Sequence, residues 1–89
     1  GLDLTLYVTG YFQAHVIRAM RKLVRRGDIA LDIGANMGAI TLHMARAVGP
    51  TGRVIAVEPT ARPYGRLVRN VSLNPDLAAR TKTVRAYLV

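Results

Sequence analysis

A short apolar segment that runs directly into a glycine-spaced loop constrains the fold of this chain most strongly. Residues 29–33 read Ile-Ala-Leu-Asp-Ile, and the loop that follows places Gly34 and Gly38 on either side of Asn36. Short apolar runs bounded by turn residues are typical of buried strands. Glycine lets a backbone come close to a ligand, because it has no Cβ and reaches positive φ at little cost. The segment therefore predicts a strand followed by a ligand-binding turn.

A second apolar segment, residues 54–57, is followed directly by Glu58. The first segment, residues 29–33, likewise has an acid near its end, Asp32. Open parallel sheets bind ligands at the carboxyl ends of their strands, and an acid there can accept hydrogen bonds from a ribose diol. This layout predicts a site for an adenosine-containing cofactor. The candidate cofactor-binding residues are Asp32, Gly34, Asn36, Gly38 and Glu58.

Hydrophobic periodicity predicts strands that alternate with helices, which indicates parallel βαβ units and an α/β fold. The predicted elements are a strand or extended arm within residues 1–10, a helix over 12–26, strands over 29–33 and 53–57, helices over 39–48 and 60–73, and a strand over 83–89. Gly27 is predicted to be the residue that follows the first helix, and Thr60 to be the N-cap of the third. Asn70 and Asn74 are predicted to be hydrogen bonders at a helix end.

The strands are apolar on both faces, as in a sheet that is covered on both sides. Right-handed crossovers in one direction would put the predicted helices on a single face. We therefore expect the chain, residues 1–89, to be the amino-terminal half of one doubly wound, three-layer α/β/α domain with a Rossmann-like parallel sheet. In this interpretation residues 1–10 form an arm and residues 11–89 form helix–β–α–β–α–β.

Composition excludes several classes of protein. The chain has no cysteine, which excludes disulfides, thiolate zinc sites and a cysteine nucleophile, and is consistent with a cytoplasmic location. No run of about eighteen apolar residues is present, so no membrane span is expected. No group of metal ligands is predicted. The net charge of +8 points to nucleic acid or another anionic surface. We give it less weight than the loop, because acids elsewhere in a larger domain would offset it.

Basic residues form two stripes at helical spacing. The first consists of Arg18, Arg21, Lys22, Arg25 and Arg26, and the second of Arg62, Arg66 and Arg69. A solvated helix face is the default interpretation of such stripes. A nucleic-acid partner stays open but is not favoured, because the stripes lack the interleaved aromatic side chains of single-strand binding surfaces.

Other motifs favour structural roles. His15 and His43 are predicted to have surface or packing roles, and residues 26–28 (Arg-Gly-Asp) to form a turn. A dinucleotide fingerprint would require G-x-G-x-x-G, but Asn36 and Ala39 stand at two of those glycine positions. An NAD-type oxidoreductase fragment is therefore only an alternative.

Four segments together resemble the class I S-adenosylmethionine-dependent methyltransferases, and among these the FkbM-type family. They are DIGANMG (32–38), GRVIAVEP (52–59), LVRN (67–70) and LN (73–74). The resemblance covers roughly residues 10–89. One departure is that residues 11–13, Tyr-Phe-Gln, contain no acid after Gly10, where the family often carries one. We therefore expect no residue of this chain to take the role that this acid has in the family.

The resemblance implies S-adenosylmethionine as the cofactor. Gly34 and Gly38 would line its methionine end, and Glu58 would hold the ribose hydroxyls. Asp32 and Asn36 would shape the loop, with Asp32 near the cofactor's amino group. Residues 59 and 60 would lie near the adenine.

The resemblance also implies methyl transfer, with O-methylation of a small-molecule or glycan acceptor as the main expectation. The catalytic and acceptor-binding residues would then follow Val89. The alternative is a nucleic-acid-binding or RNA-modifying module that uses its basic helices. The sequence does not set the oligomeric state.

Overall fold

The computed structural model describes the backbone of residues 4–8 and 13–87, and side chains from residue 17 to residue 87. The rest of the predicted arm, the side chain of His15 and the last two residues of the predicted final strand lie outside the described residues. No helix in the described part of the chain is long and apolar enough to cross a membrane.

The described chain forms a four-stranded, fully parallel sheet in the order β1-β2-β3-β4, with helices in the connections. This is the Rossmann-like α/β arrangement that the alternating pattern predicted. The elements are β1 (Leu4–Val8), α1 (Gln13–Leu23), β2 (Ile29–Ile33), α2 (Ala39–Val48), β3 (Arg53–Val57), α3 (Ala61–Ser72), α4 (Pro75–Ala78) and β4 (Thr81–Val84).

The predicted bounds of β2, α2 and β3 are confirmed. These elements are short apolar segments, and the turns between them contain glycines at positions where the backbone has a positive φ. Gly34 and Gly38 separate β2 from α2, and Gly49 ends α2, each with a positive φ that favours glycine.

Residues 4–8, within the segment predicted to be a strand or an extended arm, form a strand of the sheet, which adds a fourth strand to the three expected within residues 11–89. β1 pairs in parallel with β2 along its whole length, from Leu4 opposite Ile29 to Val8 opposite Ile33.

The first helix, α1, ends at Leu23, which is three residues earlier than the predicted end at residue 26. Gly27 has the expected positive φ of 89° but lies beyond the helix end, where its N–H donates to the Val48 carbonyl at 2.7 Å.

The region after α3 also differs from the prediction. Thr60 occupies the N-cap position, but its side chain makes no capping hydrogen bond. A short helix, α4, follows α3 because Pro75 favours a helix start and Leu77 is buried against the core. Consequently β4 starts at Thr81 and ends at Val84, rather than spanning 83–89.

The helices cover one face of the sheet. Ala30 of β2 and Val54 of β3 are fully buried on that face, against Met20 of α1 and Met44 of α2. Further along the strands, the small side chain of Ala56 packs with Leu67 of α3.

The opposite face is only partly covered. Ile29, Leu31 and Ile33 alternate with the buried residues of β2 and are half-buried, and Ile55 of β3 is half-buried beside them. Each large apolar side chain left in water forgoes roughly 1.5–3 kcal/mol of burial free energy. This face therefore needs a further covering layer.

We predict that the 89-residue chain alone self-associates through this face and binds a hydrophobic dye. Leu31 and Ile55 are paired across β2 and β3. Replacing both with Thr should reduce association in sedimentation velocity experiments, because the exposed face becomes more polar. The control is Val54→Thr on the helix-covered face, which should lower stability without reducing association. A wild-type chain that stays monomeric over a wide concentration range and binds no dye would contradict this prediction.

Candidate functional site

The candidate site lies where β2 and β3 end side by side. The register pairs Ile33 with Val57, so the two strands end level. Asp32 and Glu58 lie at these ends and are the buried acids among the described residues, with 0% and 6% of their surfaces exposed. The adjacency that the sequence predicted for the two acids is therefore present.

The loop over residues 34–38 has an unusual backbone. Gly34, Asn36 and Gly38 have φ angles of 76°, 55° and 97°. Asn is among the few residues other than glycine that adopt this left-handed conformation readily. The N–H groups of Gly34 and Ala35 both donate to the Val57 carbonyl, at 2.9 and 3.0 Å. The loop therefore curls over the end of β3, and the backbone explains the asparagine at position 36.

The Glu58 carboxylate joins the two loops of the site. Its Oε1 accepts a hydrogen bond from the Asn36 N–H at 2.8 Å, and its Oε2 accepts one from the Thr60 N–H at 2.9 Å. Hydrogen bonds to a charged acceptor are stronger than those between neutral groups. Sequence reasoning assigned Glu58 to a ligand and missed this bracing role, for which the sequence gives no local signal, because Asn36 is 22 residues away.

Asp32 lies on the helix-covered side of β2. Its Oδ2 accepts a hydrogen bond from the Thr41 hydroxyl at 2.6 Å, and both side chains are fully buried. This bond anchors the first turn of α2 to the end of β2. Thr41 is a site residue that the sequence reasoning missed; a polar residue on the buried face of a predicted helix was the available signal.

Gly38 is placed by packing against α3. A Cβ at this position would lie 2.8 Å from Leu67 Cδ1 and 3.7 Å from the Leu67 Cα. The Asn70 side chain, also on α3, donates through Nδ2 to the Met37 carbonyl at 2.8 Å. α3 therefore holds the loop from its other side. Asn70 is not the helix-end hydrogen bonder that was predicted, whereas Asn74 is, because its Nδ2 donates to the Asn70 carbonyl.

The structure thus places the five predicted residues together at the carboxyl ends of β2 and β3, although they contact different parts of the protein. Gly34, Asn36 and Gly38 form the loop, and Glu58 is bonded to it directly. Asp32 is linked to α2.

A groove of about 400 Å³ lies elsewhere on the chain, lined by apolar and basic residues that include Ile29, Ile55 and Arg80. None of the five predicted residues lines this groove.

The basic residues of the first stripe are exposed, and they influence His43 on α2. Burial, followed by the charges of Arg21 and Arg46, lowers the pKa of His43 from its ordinary 6.5. His43 is half-buried, which agrees with the predicted packing role. Arg21 of α1 and Arg46 of α2 therefore lie near the same side chain.

We predict that replacing Gly38 with Ala destabilises the protein. A non-glycine residue at this φ costs about 1–2 kcal/mol, and the contact with Leu67 adds to it. Chemical denaturation measures the effect. Gly65 of α3 is the matched control, because a Cβ there would meet no atom within 4 Å. Gly65→Ala should stabilise the helix by about 0.5–1 kcal/mol. Equal stability of the two variants would contradict the packing role of Gly38.

We predict that His43 titrates below pH 6.5 in NMR experiments. Because its pKa is lower in the folded state, the unfolded state takes up the proton first as the pH falls. The contribution of His43 to stability is then present above pH 6.5 and is lost as the pH falls through the folded pKa. The double variant Arg21→Gln, Arg46→Gln should raise the pKa only partly, since burial is the larger cause. The control Arg62→Gln, Arg66→Gln should leave it unchanged; an equal shift in both variants would refute the local effect.

Comparisons with known proteins find one similar sequence and one similar structure. No protein-family model matches the chain. A stretch of 45 residues is 44% identical to ribosomal RNA large subunit methyltransferase E of Myxococcus xanthus (strain DK1622), and it covers 49% of this chain and 21% of that protein. The chain thus spans about a fifth of the length of this curated relative.

A solved structure shares the fold. The crystal structure of a "putative rRNA-methylase" from Clostridium thermocellum matches 81% of this chain and 40% of its own chain, with a TM-score of 0.74 and 19% sequence identity. This likeness confirms the Rossmann-like fold. Neither comparison points to the FkbM-type family in particular.

Proposed function

We propose that this chain forms the S-adenosylmethionine-binding part of a methyltransferase that acts on RNA. The observation that carries the proposal is the buried Glu58 carboxylate at the end of β3, bonded to the glycine-spaced loop that follows β2. The curated relative supports it, because that protein is named as a methyltransferase of ribosomal RNA.

The residues present fit an adenosine cofactor. Each Glu58 oxygen accepts one backbone hydrogen bond, and an ionised carboxylate offers about four acceptor positions in total. Each oxygen therefore keeps one position for a hydroxyl of a ribose diol. The positive φ of Gly34 and Asn36 keeps the loop backbone tightly curled beside this carboxylate.

In this proposal Glu58 holds the ribose, and the loop at Gly34 and Asn36, whose N–H groups are bonded to Val57 and Glu58, lines the methionine end. Asp32 and Gly38 act mainly by placing the loop, through Thr41 and Leu67. When bound, S-adenosylmethionine supplies a methyl group already activated by its sulfonium, so that the protein has to contribute binding and alignment.

RNA replaces the small-molecule or glycan acceptor as the favoured substrate. The earlier expectation depended on the FkbM-type resemblance, which the comparisons do not support. Both relatives carry rRNA methylation in their names. The exposed arginines of α1 and α3 also favour a polyanionic acceptor.

We further propose that the chain is part of a larger methyltransferase domain. The partly exposed face of β2 and β3 needs a covering layer, and the matches cover 21% and 40% of the two relatives. Acceptor-binding and catalytic residues would then lie elsewhere in that domain. A cytoplasmic location is proposed because the curated relative is named as a methyltransferase of ribosomal RNA.

We predict that the full protein binds S-adenosylmethionine and its demethylated product, and does not bind NAD. Titration calorimetry with the three compounds tests the cofactor, and transfer of a labelled methyl group to ribosomal RNA tests the acceptor. Tight NAD binding without any response to S-adenosylmethionine would reject the proposal. Methylation of small molecules or glycans in place of RNA would reject the acceptor alone.

We predict that Glu58→Ala weakens S-adenosylmethionine binding roughly tenfold to a hundredfold, since hydrogen bonds to a charged group contribute about 1.5–3 kcal/mol. The fold should stay intact, with a modest loss of stability because Asn36 and Thr60 each lose a hydrogen-bond acceptor. Asp76→Ala on α4 removes the same charge from an exposed acid and serves as the control. Unchanged affinity in a well-folded Glu58→Ala protein would remove Glu58 from the cofactor site.

A further inference from the structure

The three longer helices, α1, α2 and α3, carry charge of one sign on their outer surfaces, whereas the short helix α4 carries the exposed Asp76. The sequences of α1, α2 and α3 contain seven basic residues and no acid. These residues are Arg18, Arg21, Lys22, Arg46, Arg62, Arg66 and Arg69. All seven are exposed.

Five exposed basic residues form a surface that extends over α1 and α2, here called the α1–α2 basic surface. It consists of Arg18, Arg21, Lys22, Arg25 and Arg46. The two helices pack together through buried Met20 and Met44. After burial, the charges of Arg21 and Arg46 both contribute to the lowered pKa of His43, which is consistent with basic residues of the two helices lying near each other.

An ordinary solvated surface does not account for this arrangement. Solvated helix faces usually alternate basic and acidic residues, which stabilise one another at i, i+4 spacing. Within α1 the i, i+4 pair is Arg18 with Lys22, so like charges repel there. A like-charged pair at this spacing destabilises a helix by about 0.2–0.5 kcal/mol. Arg25 lies just beyond the end of α1, where its backbone N–H donates to the Asp28 carboxylate. A bound polyanion would convert this repulsion into attraction.

The surface also indicates which form of polyanion fits. Single-stranded nucleic acids are bound by aromatic side chains on which bases stack. Residues 17–48, which include all five members of the α1–α2 basic surface, contain no Phe, Tyr or Trp, so this part of the chain offers charge to phosphates and no platform for base stacking. The regular phosphate backbone of a double-stranded RNA segment matches such a surface, since duplex RNA is recognised largely by shape and backbone.

We propose that the α1–α2 basic surface docks the phosphate backbone of a double-stranded segment of the RNA acceptor, apart from the cofactor site. The choice of RNA as the polyanion rests on the proposed function, whereas the location rests on the charges of α1 and α2. The cofactor residues lie at the carboxyl ends of β2 and β3, whereas the docking residues lie on the outer sides of the helices. RNA affinity and cofactor affinity should therefore be separable by mutation.

The test compares two triple variants of the full protein. Arg18→Gln, Arg21→Gln, Lys22→Gln removes three charges from the proposed surface, and Arg62→Gln, Arg66→Gln, Arg69→Gln removes three from α3. Affinity for a structured RNA is measured as a function of salt concentration. Each lost phosphate contact reduces the salt slope by roughly one, so the first variant should lose two to three units and bind roughly tenfold to a hundredfold more weakly at moderate salt. The α3 variant should change less.

Several outcomes would overturn the proposal. Equal losses of RNA affinity in both variants would assign the effect to net charge. An unchanged salt slope in the first variant would show that the α1–α2 basic surface does not bind RNA. Stronger binding to vesicles of anionic phospholipid than to RNA, or a preference for single-stranded over duplex RNA, would identify a different ligand. S-adenosylmethionine affinity should be unchanged in the first variant, which also shows that it is folded. If the wild-type protein binds no S-adenosylmethionine, the proposed function fails, and the salt slopes still decide the docking surface.

His43 provides a local readout of the same event. RNA phosphates beside Arg21 and Arg46 would offset the positive charges that lower its pKa. Its pKa in NMR titrations should therefore rise when duplex RNA is added to the wild-type protein, and should rise less in the triple variant of α1. A His43 pKa that does not respond to saturating RNA would place the RNA elsewhere.

Discussion

The carboxylate of Glu58 holds the two loops of the site together. Residues 34–38 and 58–60 follow neighbouring strands that end level, and the paired register stops at Ile33 and Val57, before either loop. Glu58 accepts one backbone N–H from each side, from Asn36 and from Thr60. The second of these bonds also sets the start of α3, because Thr60 stands at its N-cap position without a capping side chain. One side chain thus couples the glycine-spaced loop to the helix that packs against it.

The same loop shows why glycine spacing alone is an ambiguous sign of ligand binding. Gly38 is required by its positive φ and by the side chain of Leu67, and Asn70 of α3 fixes the neighbouring carbonyl. These contacts are internal packing. What points to a ligand is the buried Glu58 carboxylate beside them, because it retains acceptor positions after both backbone bonds are made.

The sequence predicted the elements whose limits are set locally. The bounds of β2, α2 and β3 follow from apolar periodicity and from glycines with positive φ. Local patterns could not decide whether residues 4–8 join the sheet, because that depends on pairing with residues 25 positions away. The same holds for α4, which forms because Leu77 is buried, and for the bracing role of Glu58. The motifs did not identify the acceptor either, since the residues they single out are those that the proposed function assigns to the cofactor.

Charge is distributed very unevenly between the site and the helix layer. Of the five acids in the chain, Asp32 and Glu58 are buried at the strand ends, where hydrogen bonds from Thr41, Asn36 and Thr60 stabilise them. Their negative charge suits a cofactor that carries a sulfonium and an ammonium group. Because these acids are buried, they cannot alternate with the arginines of the outer surface, which is left almost uniformly positive. A surface of one sign attracts an oppositely charged polymer over distances of about a Debye length. In the proposed function, this separation of charges would let one small α/β layer attract a cationic cofactor at the strand ends and a polyanionic substrate on its helices.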